Sequence, residues 1–263
     1  MEYKKRKEQE RKDGLMAKPL HGRFFRGMKD ETTGKAIAGP RSWEWVRSGY
    51  MTKSTESYIF AAQEQALGTR SVRSRIYHEV GEDGEVVSGL CRICGEKLET
   101  VHHIAGGCGL LMKGPGAVRY DKMGSRVHWD LCKKYGVACS DRWYEHKPQT
   151  ISRNESGDVT LYWDWEWKTP ADVPFYRPDV VVVDRKEKLW MIVEFSVLLD
   201  HNIVKKQFWK VEKYQLLAAH FRKMHHGIQT KIIPVVVGAF GMIPERLPGY
   251  LKDLGMGRGM SSL

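Results

Sequence analysis

Residues 177–197 read RPDVVVVDRKEKLWMIVEFSV. Two runs rich in β-branched and aromatic residues, 179–184 and 189–197, flank the charged segment DRKEK, and that is the composition of two strands joined by a hairpin turn. Pairing the strands lays Asp179, at the start of the first, beside Glu194, inside the second, so that both carboxylates can converge on one divalent cation. Oxygen ligands of this kind suit Mg2+, which keeps several waters for a phosphate substrate. Glu194 interrupts the apolar run LWMIVEFSVLL. A carboxylate there requires a cation, a hydrogen-bond network or a water-filled cleft, unless it sits on an edge strand facing water.

Downstream, residues 203–225 predict one long helix and 231–239 a further apolar strand. Lys206, Lys210 and Lys213 recur at i, i+4, i+7 and share one stripe, with Val204, Phe208 and Val211 on the opposite side. Alone, such lysines form a solvated face. Beside two carboxylates, an ammonium can orient an attacking water or stabilise developing negative charge, and the chemistry that uses this set is metal-assisted hydrolysis of a phosphodiester. Upstream, 160–167 (TLYWDWEW) predicts another strand, completing the order β-β-β-α-β. Strict alternation would turn Trp163, Trp165 and Trp167 one way and Asp164 and Glu166 the other, as a half-exposed strand or as the source of a third metal ligand. His146, in YEHKP, can contact a substrate backbone or pack near the turn before Pro148.

A second constellation lies in 91–108. Cys91 and Cys94 form C-x2-C, and His103 and Cys108 follow as H-x4-C. Four such ligands suit tetrahedral Zn2+ with no open position, and hence a structural ion. His102 adjoins His103, and the spacing leaves open which imidazole turns inward. Gly95, Gly106 and Gly107 permit tight turns. Cys132 and Cys139 lie outside the cluster and read as ordinary buried thiols.

Helices are also expected from Ser54, as cap, to Gly68, and over 117–135, where Val118, Met123, Val127 and Leu131 recur at helical intervals. Arg70, Arg73 and Arg75 follow the first of these and suit phosphate contact or a solvated face. The charged opening MEYKKRKEQERKDG reads as a mobile tail, its KKRK as a nuclear address or a phosphate-seeking arm. In domain terms the expectation is a basic tail over 1–40, a helical region over 41–140 holding the metal cluster, an α/β domain over 141–255, and a frayed terminus over 256–263. The glycine-rich GMGRG of that terminus is not set as a phosphate loop.

Across 263 residues, 41% apolar content excludes wholesale disorder, and 43 basic against 32 acidic residues give a net charge of +11, which favours a polyanionic partner. The longest uncharged apolar run, 232–244, falls short of a membrane span. The charged opening has no apolar core of a secretory signal, so a reducing, intracellular setting, nuclear or otherwise, is expected.

The motifs CRICGEKLETVHHIAGGC, DKMGSRVHWDLCKKYG, WYEHKPQT, RPDVVVVDRKEKLWMIVEFSV, KVEKYQLL and IIPVVVGAFG, in that order, resemble the carboxy-terminal part of polyproteins from non-LTR retrotransposons that carry a restriction-like endonuclease. The resemblance extends upstream through ESYIFAAQEQAL to about His21 and so covers most of the chain. It implies an α+β architecture: an amino-terminal helical region with a CCHC zinc knuckle, followed by an α/β core of the PD-(D/E)xK type. It further implies a Mg2+-dependent endonuclease that nicks target DNA so that the freed 3′-hydroxyl primes reverse transcription. By that likeness Cys91, Cys94, His103 and Cys108 form the knuckle, Asp179 and Glu194 are the nuclease carboxylates, and Lys210 and Lys213 match the K-x2-K pattern of the helix. Arg70, Arg73, Arg75, Lys206 and His146 are the candidate nucleic-acid contacts. DNA is the implied partner, with element RNA and a reverse transcriptase acting in trans as further candidates.

Two departures bear on this. Glu194 stands where the family more often has Asp, and Ser196 stands where the generic nuclease motif has lysine, so the cationic role falls to the helix. No Y-x-D-D signature of a polymerase occurs. The chain then reads as the tail of an element, whether a truncated copy, an excised piece or a gene recruited for another use. The competing expectation is a catalytically inactive nucleic-acid-binding zinc module from a decayed or domesticated element. A third is an interaction protein with neither activity.

Overall fold

The computed structural model describes residues 2–17, 22–30 and 33–256. The frayed terminus expected over 256–263 therefore lies, apart from Met256, outside the described residues, as does His21. The fold is mixed α/β and divides into two compact units, the first comprising 1–116, 199–201 and 238–243, the second 117–198, 202–237 and 244–263. The boundary falls at Ala117 rather than at 141, because the helix expected over 117–135 packs on the sheet.

In the first unit, α1 (Glu2–Met16) is exposed along almost its whole length, as its charged composition dictates. The tail expectation does not extend to residue 40. Phe24 of α2 (Arg23–Gly27), Met28 and Ala38 are buried, and Phe24 meets Trp43 edge to face, with ring centroids 5.1 Å apart. After α3 (Glu44–Ser48) comes α4 (Lys53–Gln63), capped not by Ser54 but by Thr52, whose hydroxyl accepts from the Thr55 amide. Gln63 donates to the Phe240 carbonyl at 2.8 Å, and Ser42 accepts from the Ile243 amide at 2.9 Å, fastening segment 238–243 into this unit. α5 (Arg70–Arg75) and the single turn α6 (Gly109–Leu111) bracket the cysteine cluster.

In the second unit, α7 (Ala117–Tyr135) matches its expected span. A five-stranded mixed sheet follows in the order β1 (Ile151–Arg153), β2 (Val159–Trp163), β3 (Val180–Asp184), β4 (Leu189–Leu198), β5 (Gln229–Gly238). β1 to β4 are antiparallel neighbours. Because β3 and β4 are covered on both faces, their side chains are almost all buried. Val181, Val183, Trp190 and Ile192 pack with Leu217, Ala218 and Phe221 of α9 (Gln215–Met224). On the other face α7 approaches closely at Gly124, where an added Cβ would lie 2.7 Å from Trp163 and 3.2 Å from Phe195. α10 (Leu247–Asp253) closes the described chain. No helix of the described residues is long and apolar enough to cross a membrane.

Two expectations are corrected by tertiary packing. The helix expected over 203–225 is two helices, α8 (Ile203–Lys213) and α9, broken at Tyr214, whose fully buried ring sends its hydroxyl to the Arg177 carbonyl at 3.2 Å. The tryptophan alternation also fails. β2 stops at Trp163, and Asp164 adopts φ +48, a left-handed conformation that reverses the side-chain order. Trp163 consequently packs on His128 and Phe195, whereas Trp165 and Trp167 pack on Tyr162 and Trp167 also meets Trp190.

Candidate metal centre and carboxylate site

In the first unit, the bridge between Leu90 and Leu98 makes a tight hairpin, with the Cys91 amide donating to the Lys97 carbonyl at 2.8 Å and Gly95, at φ +69, taking the left-handed turn position. Cys91 and Cys94 project from this hairpin. Thr100 accepts from the His103 amide at 3.0 Å and starts the helical turn that carries His103, and Cys108 follows it. The four donor atoms lie within 4.8 Å of one another, and Cys94 Sγ is 3.3 Å from His103 Nε2. The edge of a zinc tetrahedron with bonds of about 2.0–2.3 Å is about 3.3–3.8 Å, so the donors fit. These residues could hold a metal ion such as zinc. The Glu96 and Lys97 amides pull the Cys94 thiol down to about 6, which favours the thiolate a metal needs. His102 is turned elsewhere, its ring against His201 and Phe240, and the pair of imidazoles left open by the spacing resolves to His103.

Glu99 was not legible in the sequence. Its side chain is 1% exposed and accepts from the Arg92 amide and guanidinium and from the Arg70 amide, locking the cysteine hairpin to the start of α5. Arg92 holds its carboxyl down at about 2, from an ordinary 4.5. A depressed acid contributes stability above its unfolded value and loses it as pH falls through its folded one. Glu99→Gln should therefore cost about 1–3 kcal/mol at pH 7. The gap from the unaltered chain should narrow between pH 4.5 and about 2. Denaturant unfolding across that range reads it, and coincident midpoints at pH 7 would remove Glu99 from this role.

In the second unit, Val180 pairs with Val193. Asp179 lies in the bend just before β3, and Glu194 follows Val193 on β4, so the two carboxylates stand near one another at one end of this pairing. Glu194 meets the lysines of α8. Glu194 is 1% exposed, ion-paired with Lys210 and 3.4 Å from Lys213. Asp179 accepts from the Phe195 amide at 2.6 Å and from the Tyr120 hydroxyl. Burial, then the charge of Glu194, push Asp179 up to about 6. The lysine stripe thus turns inward while Val204 and Phe208 on the opposite side are exposed, the inverse of an ordinary amphipathic helix. Lys206 lies 4.0 Å over the half-exposed Trp209 ring, and Lys213 lies over both Phe175 and Trp209.

Tyr120 and Tyr214 are members of the site that the sequence did not disclose. Burial and the neighbouring carboxylates keep both hydroxyls protonated, Tyr120 beside Asp179 and Tyr214, which donates to the Arg177 carbonyl, beside Glu194. Gln207 is buried one helical turn before Lys210, its Nε2 without a partner. Asp164 does not join the carboxylates but forms a two-pronged pair with Arg177 at 2.6 and 2.8 Å. Of the arginines, Arg73 is engaged by Glu79, Arg70 is half-buried, and Arg75 is exposed. His146 is tied to His128 at 2.8 Å. No protein-family model matches the chain, and no curated protein matches it.

Proposed function

We propose that this chain is a Mg2+-dependent DNA endonuclease of the PD-(D/E)xK type, the zinc-knuckle and nuclease part of a non-LTR retrotransposon. The observation that carries the reading is the meeting of half-buried Asp179 with buried Glu194 beside the β3–β4 pairing, with two lysines of α8 leaning onto the glutamate. Two carboxylates whose mutual repulsion raises Asp179 form a place that a cation relieves. Asp179 and Glu194 would hold Mg2+, which when bound polarises the scissile phosphate. Lys210, held against Glu194, is positioned to counter charge developing on the phosphate, and the Phe195 amide and Tyr120 fix the Asp179 carboxylate. The exposed rings of Phe175 and Trp209, with Lys206 and Lys213 over them, offer stacking and charge to a nucleic-acid strand.

The second reading, a nucleic-acid-binding zinc module that does not cut, draws on the same ion pairs, since Glu194 neutralised by Lys210 and Lys213 also makes a self-sufficient buried network. Supercoiled plasmid separates the two. The nuclease converts it to nicked circles in Mg2+ and not in EDTA. Cleavage at limiting Mg2+ rises with pH through about 6 as Asp179 ionises. A protein that binds DNA, with affinity falling steeply in salt, yet leaves the plasmid supercoiled belongs to the second reading.

A further inference from the structure

His128 and Cys132 stand one turn apart on α7 and therefore on one face of it, and both are fully buried. The chain leaves the helix at Gly136, returns through the short turn Trp143–Glu145, and delivers His146 onto the same face. His128 Nδ1 lies 2.8 Å from His146 Nε2, with the two rings stacked at 5.0 Å, and Cys132 Sγ lies 3.4 Å from His128 Nδ1. The three donor atoms fall within 4.8 Å of one another.

Two imidazole nitrogens and a thiolate are borderline and soft donors with no carboxylate oxygen among them. That excludes the hard cations Mg2+ and Ca2+ and selects Zn2+ or a metal of its class.

We propose that His128, Cys132 and His146 form a second, zinc-type metal site, separate from the Cys91, Cys94, His103, Cys108 cluster. Binding releases the Cys132 proton, and the thiolate and the two imidazoles supply three of the four tetrahedral positions, with water in the fourth. The nitrogens, 2.8 Å apart when hydrogen-bonded, separate to the edge of about 3.3 Å that bonds of about 2.0–2.1 Å require. The loaded site staples the end of α7 to the segment that leads into β1. It also fixes His128 against Trp163, whose ring in turn packs on Phe195 beside the Asp179 carboxylate.

Metal content of the full chain, purified from zinc-supplemented growth and measured by elemental mass spectrometry, tests this. The unaltered chain should carry about two equivalents of zinc and His146→Gln about one, with unchanged circular dichroism. His146 is partly exposed, so its replacement is the variant best tolerated, and Cys132→Ala serves as the second. A cobalt-loaded chain carrying Cys91→Ser, Cys94→Ser and Cys108→Ser, which leaves the first cluster no thiolate, should retain a thiolate-to-cobalt absorption band that Cys132→Ala then abolishes. Equal zinc in the unaltered chain and in His146→Gln overturns the site, and so does a cobalt band indifferent to Cys132.

Discussion

Asp179→Asn should leave supercoiled plasmid intact under conditions in which the unaltered chain nicks it, a loss of at least about a hundredfold, while the variant melts no lower. The two halves of this expectation come from one fact. Asp179 is a half-buried acid beside Glu194, and loss of solvation and that charge raise it from 3.8 to about 6. The fold therefore favours the uncharged group. A raised acid stabilises the folded state most fully below about pH 4, and its contribution declines as pH climbs to about 6. Asparagine keeps the acceptor for the Phe195 amide and places a donor toward Tyr120, so above pH 6 it should equal or exceed aspartate in stability. Its advantage should vanish below pH 4. What asparagine lacks is the negative oxygen that holds a divalent cation. Activity lost with stability retained above pH 6 marks a group kept charged for chemistry at a cost to the fold. Equal weak nicking by both proteins would mean that the cleavage comes from elsewhere, and a variant that is both inactive and less stable would make Asp179 a structural residue.

The parts of this fold written in local sequence were legible, and the parts that depend on distant partners were not. α7 ran as its apolar periodicity predicts, since one face of it packs along its length on the sheet. The β3–β4 hairpin followed from two β-branched runs around a charged turn, and its register ends at Val180 and Val193, the residues next to Asp179 and Glu194. The cysteine cluster was visible because its ligands are rare residue types at fixed spacing. Nothing local marks Tyr214 as a break, because the helix yields there to a ring drawn into a core built from β3, β4 and α9. Likewise Glu99 reads as one surface acid among many until Arg92 and the Arg70 amide enclose it. The inward lysines of α8 were seen as a stripe. Their direction could not be, because helical periodicity tells which residues share a face but not which face meets the carboxylate.

His103→Ala should remove one equivalent of zinc and unfold the region around the cysteine hairpin, whereas His102→Ala should do neither. The pair is a sharp test because the two residues are neighbours of the same type. His103 Nε2 lies among three thiols, while the His102 ring lies against His201 and Phe240. This hairpin has little apolar content of its own to bury, as Leu90, Ile93 and Leu98 are all exposed. The free energy that orders it must then come in large part from metal binding, on the order of 10 kcal/mol for a structural zinc. Removing one ligand of four leaves a weaker site that a strong chelator empties. Amide exchange across 88–108 should then rise toward that of an unfolded chain, while the buried amides of β3 and β4 keep their protection, since their core is built from side chains of the second unit. The Cys94 thiol, already drawn down to about 6 by the Glu96 and Lys97 amides, makes the metal-bound form persist to mildly acidic pH before protons displace the ion. Zinc retained by His103→Ala and lost by His102→Ala would reverse the ligand assignment. Protection over 88–108 that survives complete zinc removal would show that the hairpin is ordered by its Glu99 clamp and not by the ion.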